Sequence, residues 1–125
     1  MSTIRVDNFG PSAGGTTYSA RGIAKAWVNF NGTGTIAARD SENVSSLTDN
    51  GTGDYTVNFS NAFGAADYIM NASCGEGGSG SAIGSLRCPG TTDPTTSSFE
   101  FCTVNTSNTL NDRTFISAAI HGDLA

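Results

Sequence analysis

Charge is scarce in this chain. Asp, Glu, Lys and Arg make up 14% of the 125 residues, against about 25% in an average domain. Six Lys and Arg stand against eleven Asp and Glu, a net charge of −5. The cations are scattered from Arg5 to Arg113. Phosphate neutralisation needs clustered cations, so nucleic-acid binding is excluded as an expectation. Metal chemistry is poorly provided for as well: there are three Cys and one His, with neither CxxC nor HxxxH spacing. No apolar run approaches the ~20 residues of a membrane-spanning helix, so no membrane insertion is expected. Met1 to Asp7 contains no apolar leader core. The expectation is synthesis in a cytoplasm without a signal peptide.

Hydrophobic residues are also below the norm, at 37% against about 45–50%. The deficit is filled by Gly, Ser, Thr and Asn. Gly and Asn reach positive φ cheaply, which suits tight turns. The same residues weaken helices, because Gly is too free and Ser, Thr and Asn compete for backbone hydrogen bonds. The composition therefore predicts short strands joined by many turns.

The pattern along the chain agrees. Thr3–Asp7 reads as one short strand, ended by Gly10-Pro11-Ser12-Ala13-Gly14-Gly15. Residues 1–22 form an N-terminal arm or connector, and residues 23–125 a single β-domain. Within it Lys25–Phe30, Thr35–Asp40, Asn43–Thr48, Tyr55–Phe59, Tyr68–Cys74, Ser98–Val104 and Thr114–His121 read as strands. Asn50-Gly51 is the strongest hairpin signal, and Tyr55, Val57 and Phe59 share one face after it. Phe63–Asp67 is a connection with room for one helical turn. Val-Asn-Phe at 28–30 returns at 57–59, and Asn-Gly-Thr-Gly at 31–34 returns at 50–53. The period is not sustained, so no solenoid is implied. The fold class is all-β: an antiparallel, jelly-roll-like β-sandwich of about seven short strands with an extended N-terminal arm.

No constellation of catalytic residues stands out. Asp40, Glu42, Asp49, Asp54, Asp93 and Asp112 fall in expected turns, where capping is their ordinary work. Glu100 lies in a strand and alternates with Phe99 and Phe101, so it points away from the face they bury. His121 has no nucleophile elbow to serve. Asp49–Asp54 lacks the alternating acids and distal Glu of a helical calcium loop. Trp27 and Tyr55 sit in patterned strands and are assigned to the core, while Tyr18 and Tyr68 complete the set of aromatic platforms a binding module would use. Cys74, Cys88 and Cys102 are spaced 14 apart. Either three thiols or one disulfide from Cys88 to a strand fits. From Gly75 to Ser97 the chain is Gly, Ser, Thr and Pro-rich, an exposed excursion of the kind that carries recognition. Its candidate contact residues are Gly75, Glu76, Ser79, Ser81, Arg87, Thr91 and Asp93. No catalytic, cofactor-binding or metal-binding residue is assigned.

Two segments carry a resemblance. Gly22-Ile23-Ala24-Lys25-Ala26-Trp27-Val28-Asn29-Phe30-Asn31-Gly32-Thr33-Gly34 and residues 44–59, with Thr48-Asp49-Asn50-Gly51-Thr52-Gly53-Asp54-Tyr55 at their centre, resemble a module of tail-fibre and other virion proteins of marine and environmental bacteriophages. The opening Ser2-Thr3-Ile4-Arg5-Val6-Asp7 resembles the start of such fibres. The similarity covers about residues 2–70 and brings no catalytic residue with it. It implies a non-enzymatic virion protein, on the exterior of a tail or capsid, that forms a homotrimer. Residues 2–22 would bind other virion proteins, and a host surface glycan or protein would be the external partner. A capsid fibre or decoration protein is the first alternative, and a small glycan-degrading depolymerase the second. A carbohydrate-binding module of a cell is a third.

Overall fold

The computed structural model describes residues 22–76, 85–87 and 92–125, together with 2, 3, 5, 6, 8–10, 13, 15, 16, 18 and 19. Among the described residues ten strands are formed: β1 Asn8–Phe9, β2 Tyr18–Ser19, β3 Ala26–Asn31, β4 Ala37–Glu42, β5 Val44–Gly51, β6 Asp54–Phe59, β7 Ile69–Gly75, β8 Ser85–Arg87, β9 Ser98–Val104 and β10 Phe115–His121. β1 and β2 pair with each other. The others make two four-stranded antiparallel sheets, ordered β4-β3-β10-β7 and β5-β6-β9-β8. All seven strands expected of the domain are present, and the β-sandwich is the fold.

Alternation builds it. In β3 Ala26, Val28 and Phe30 are buried, in β6 Tyr55, Val57 and Phe59, in β9 Phe99, Phe101 and Thr103, and in β10 Ile116, Ala118 and Ile120. Each set recurs at period two, so each strand turns one face to the core, and in the second half of β9 Cys102 and Val104 on the other face are buried too. The two central pairs, β3-β10 and β6-β9, supply most of the core between the sheets. The two Val-Asn-Phe segments occupy equivalent places, the second strand of each sheet, with Val and Phe inward and Asn outward. Phe30, Tyr55, Phe101, Phe99, Phe59, Phe63 and Tyr68 form a run of ring contacts with centroids 4.8–6.2 Å apart. Pairs of this kind add about 0.5–1.5 kcal/mol beyond the area they bury.

The chain passes between sheets at Asn43, which has φ 54° and leaves one residue between β4 and β5. Asn suits this left-handed position because its short amide hydrogen-bonds locally. Here its Nδ2 donates to the carbonyl of Asn61 and its Oδ1 accepts from the amide of Asn61.

Several expectations are corrected. The arm's strand pairing lies at Asn8–Phe9 and Tyr18–Ser19 rather than at 3–7. The β5-β6 hairpin turns at Thr52-Gly53, not at Asn50-Gly51. Asn50 is a bulge, held by donation from its Nδ2 to Asp54 and Thr56, which carries β5 on to Gly51. Phe63–Asp67 forms no helical turn: Phe63 is buried and bridges to Leu124. Asp40, Glu42, Asp49 and Asp54 lie in strands rather than turns. Glu100 does point away from the core face of Phe99 and Phe101.

Tyr68 yields a prediction. Burial pushes its hydroxyl up to about 12, and that hydroxyl donates toward the carbonyls of Thr95 and Ser98 at 3.0 Å. An unfolded tyrosine ionises near 10. Above about pH 10 the unfolded chain therefore holds fewer protons than the native one, and stability falls as pH rises toward 12. Urea midpoints measured from pH 8 to 11.5 should decline in the upper part of that range. Tyr68→Phe should make the decline shallower, the remainder coming from the Tyr55 hydroxyl and the Cys74 thiol, both also pushed up by burial. It should also lower stability at pH 8 by about 1 kcal/mol, the usual value of one hydrogen bond.

Candidate functional site

Trp27 is not in the core. It shares strand parity with Asn29 and Asn31, and all three are partly exposed while Ala26, Val28 and Phe30 are buried. The core assignment is therefore corrected: β3 needs its inward positions for residues that fit between the sheets. The signal was in the sequence, since Trp27 alternates with the apolar residues of β3. Tyr55, by contrast, is fully buried. Its hydroxyl lies 2.9 Å from both the Gly32 carbonyl and Asp112 Oδ1, and burial with the Asp112 contact raises its pKa.

Trp27 lies on the outward face of the β4-β3-β10-β7 sheet. Register places Glu42, Trp27, Ala119 and Asn71 in one row across that face, and Asp40, Asn29, Ser117 and Ser73 in the next. The small side chains of Ser73, Ser117 and Ala119 leave a groove of about 390 Å³ lined by Trp27, Asn29 and Asn71. At Asn71 it adjoins a second basin of about 760 Å³ whose lining includes Asp67, Ile69, His121 and Asp123. The two follow one another along β7 with Asn71 between them, hereafter the trough.

Its polar groups are oriented. Asn29 Nδ2 donates to Ser117 Oγ at 2.7 Å, and Asn29 Oδ1 accepts from Arg39 at 3.2 Å. Arg39 is itself fixed by donation to the carbonyls of Phe30 and Thr114. Its guanidinium sits 4.5 Å from the ring centroid of Phe115, an attractive cation–π arrangement. A register shift between Asn29 and Phe30 brings Arg39 to this position. His121 Nδ1 is 3.1 Å from the Gly22 carbonyl. Ile69 and Phe115, 64% and 47% exposed, stand at opposite ends of the face.

Of the residues expected in the contact loop, Gly75, Glu76, Arg87 and Asp93 are among those described. Gly75 ends β7 opposite Phe115. Glu76 follows it and pairs with Arg113, Oε1 to Nη1 at 2.8 Å. Arg113 is buried, so this pair anchors the start of the excursion. Arg87 ends β8 in the other sheet, opposite Cys102. Asp93 is exposed. Ser79, Ser81 and Thr91 lie outside the described residues, as does Cys88 with any disulfide it makes. The excursion is not one uninterrupted loop, because Ser85–Arg87 forms β8 on β9. Its far end is held too: the Thr96 carbonyl accepts from the Phe63 amide, and Thr95 Oγ1 from the Ser97 and Ser98 amides.

Among the described residues no three His, Cys, Asp or Glu side chains are grouped to hold a metal ion. No helix among them is long and apolar enough to cross a membrane. Asp54 and Glu100 lie diagonally on the outward face of the other sheet, Asp54 opposite Cys102 and Glu100 opposite Thr56. Comparison with family models, with curated proteins and with solved structures returned no match.

Proposed function

We propose that this chain is a non-catalytic structural module of a bacteriophage particle, a tail-fibre or fibre-like component that takes part in host attachment. The observation that carries the reading is the outward face of the β4-β3-β10-β7 sheet: a rigid sandwich holds Trp27, Asn29, Asn71 and Ser117 on a face that small neighbours leave open. Rigid scaffolds that display an open face suit binding rather than chemistry. The similarity of residues 22–34 and 44–59 to fibre modules supports the virion setting. A homotrimer, held or attached through residues 2–22, completes the proposal, because closed rotational symmetry covers sheet edges without open-ended growth.

Fractionation of purified phage particles, with gold-labelled antibody against the folded chain, tests the assignment. Label on the particle exterior is expected, and light scattering should give three times the monomer mass. Protein found in the soluble host fraction with none on particles would overturn the virion reading, and a monomer mass at micromolar concentration would overturn the trimer.

One observation favours a second reading. Asp54 and Glu100 are diagonal across β6 and β9, and such neighbours are about 7–8 Å apart, within reach of the carboxyl separations used by glycosidases. The depolymerase alternative would need this pair. Purified protein is expected to release no reducing sugar from host envelope glycans; release that Asp54→Asn or Glu100→Gln abolishes would replace the binding reading with the enzymatic one.

A further inference from the structure

We infer that the trough along β7 is a binding site for a neutral oligosaccharide, with Trp27 and Asn71 as its principal contacts. The inference rests on the attachment reading above and places its contact surface on the sheet face instead of the 75–97 excursion. The chemistry of the face selects the ligand. A sugar ring has an apolar C–H surface and a rim of hydroxyls that both donate and accept. It needs an aromatic wall beside fixed amides, hydroxyls and carboxylates, and this trough supplies those together. The indole of Trp27 lines it beside Ala119, whose short side chain leaves a ring room to lie against the sheet.

The hydrogen-bonding groups stand in adjacent rows. Asn71 is exposed opposite Ala119, and Ser73 is exposed opposite Ser117. Asn29 gives one Nδ2 hydrogen to Ser117, which leaves the second hydrogen of that amide and the hydroxyl hydrogen of Ser117 to face a ligand. The Arg39 contact on Asn29 Oδ1 fixes which way the amide points. At the basin end Asp67 and Asp123 line the trough beside His121. Carboxylates accept from sugar hydroxyls and repel anions. With Asp40 and Glu42 along the β4 border, they disfavour phosphate, sulfated glycans and nucleic acid. β7 rises about 3.3 Å per residue, so Ile69 to Ser73 alone runs on the order of 13 Å, and the adjoining basin extends it. That length suits a short chain of sugar units rather than a single one.

A protein partner fits less well. Hot spots of protein interfaces are protruding aromatic or Arg anchors that seat in pockets. Here the middle of the face is a depression floored by Ala, Ser and Asn. A second copy would bring an identical depression against it.

Trp27 is the sole tryptophan, so intrinsic emission reads this trough directly. The intact chain is titrated with cellohexaose, mannohexaose and a β-galactan hexasaccharide, with a hyaluronan hexasaccharide as the anionic comparator. Amide shifts are recorded in parallel. At least one neutral hexasaccharide should change the emission and move the amides of residues 27, 29, 71, 73, 117 and 119, with little dependence on salt between 50 and 500 mM, because no ion pair is involved. Trp27→Ala should weaken that binding at least tenfold by amide shifts, and Asn71→Ala several-fold. Asn71 is exposed, so its variant serves if the Trp27 variant folds poorly. Four outcomes would overturn the inference. The first is no response to any neutral probe at millimolar concentration, and the second is preference for hyaluronan. The third is a response mapped to the β5-β6-β9-β8 sheet. The fourth is concentration-dependent shifts at 27 and 71 without sugar, which would mark the face as a contact between copies. Gold labelling of particles is independent of every one of these outcomes, so loss of the sugar site and loss of the virion assignment are told apart.

Discussion

Phe30→Ala should lower stability by about 3–5 kcal/mol, whereas Trp27→Ala, three residues earlier in the same strand, should cost about 1 kcal/mol. Phe30 is fully buried, with its ring 5.3 Å from that of Tyr55 and 6.2 Å from that of Phe101. Its removal opens a cavity between the sheets that neither neighbour can fill without leaving its own strand position. The indole of Trp27 keeps part of its area in water in the folded state, so truncation forfeits only the remainder. The larger residue therefore matters less to folding. Urea denaturation of both variants reads this directly, and the thermal midpoint of the Phe30 variant should fall on the order of 10–20 °C. Equal losses would mean that Trp27 is a core residue after all.

Gly53→Ala should cost about 3 kcal/mol and Gly34→Ala about 1 kcal/mol, although both glycines are left-handed, at φ +64° and +65°. The shared conformational strain of a side chain at such a position is about 1 kcal/mol. The rest is space. A Cβ at Gly34 meets nothing within 4 Å, whereas one at Gly53 would lie 2.6 Å from both the Asn111 amide nitrogen and the Thr103 carbonyl oxygen. Both are backbone atoms, so no side chain can swing aside, and overpacking of this kind costs about 1–3 kcal/mol. The Gly53 amide also donates to Asp112 Oδ1 at 2.6 Å, and its carbonyl accepts from the Thr103 amide at 2.8 Å. Any shift that relieves the clash breaks these bonds and disturbs Asp112, which meets the Tyr55 hydroxyl at 2.9 Å. Denaturation midpoints of the two variants should differ accordingly. Equal effects would show that the hairpin tip does not pack against residues 103–111.

How legible this was in the sequence depended on what carries each feature. Strands whose apolar residues recur at period two, such as Tyr55–Phe59 and Ser98–Val104, could be read directly because burial itself imposes the period. β8 could not, since Ser85-Leu86-Arg87 contains little pattern and its strand form comes from pairing with Cys102–Val104. The turn of the β5-β6 hairpin was misplaced by two residues. Asn-Gly is a strong turn signal, but here Asn50 finds partners in Asp54 and Thr56, and Thr52-Gly53 closes the hairpin instead. Phe63 sits in a stretch with no period, so its place in the core is set by tertiary contact with Phe59 and Tyr68.

The open face was legible in part. The parity of Trp27 with Asn29 and Asn31 was available, but a tryptophan between apolar residues in a patterned strand reads as core unless strict alternation is given more weight than size. The rows that join Trp27 to Ala119 and Asn71 depend on the order β4-β3-β10-β7. That order brings together segments almost a hundred residues apart and leaves no mark within any one of them. The Gly- and Ser-rich excursion drew attention by composition alone, and its Glu76 and Thr95 are used as anchors.

Trp27 is proposed to stand on an outward contact face that a bound target covers. Acrylamide quenching of tryptophan emission tests it most directly, measured on the free chain and again on chain co-sedimented with envelope fragments of the host bacterium. Ready quenching is expected in the free chain and marked protection in the bound one. Protection already present in the free chain would place Trp27 in the interior, and equal quenching in both states would show that this face is not the one used.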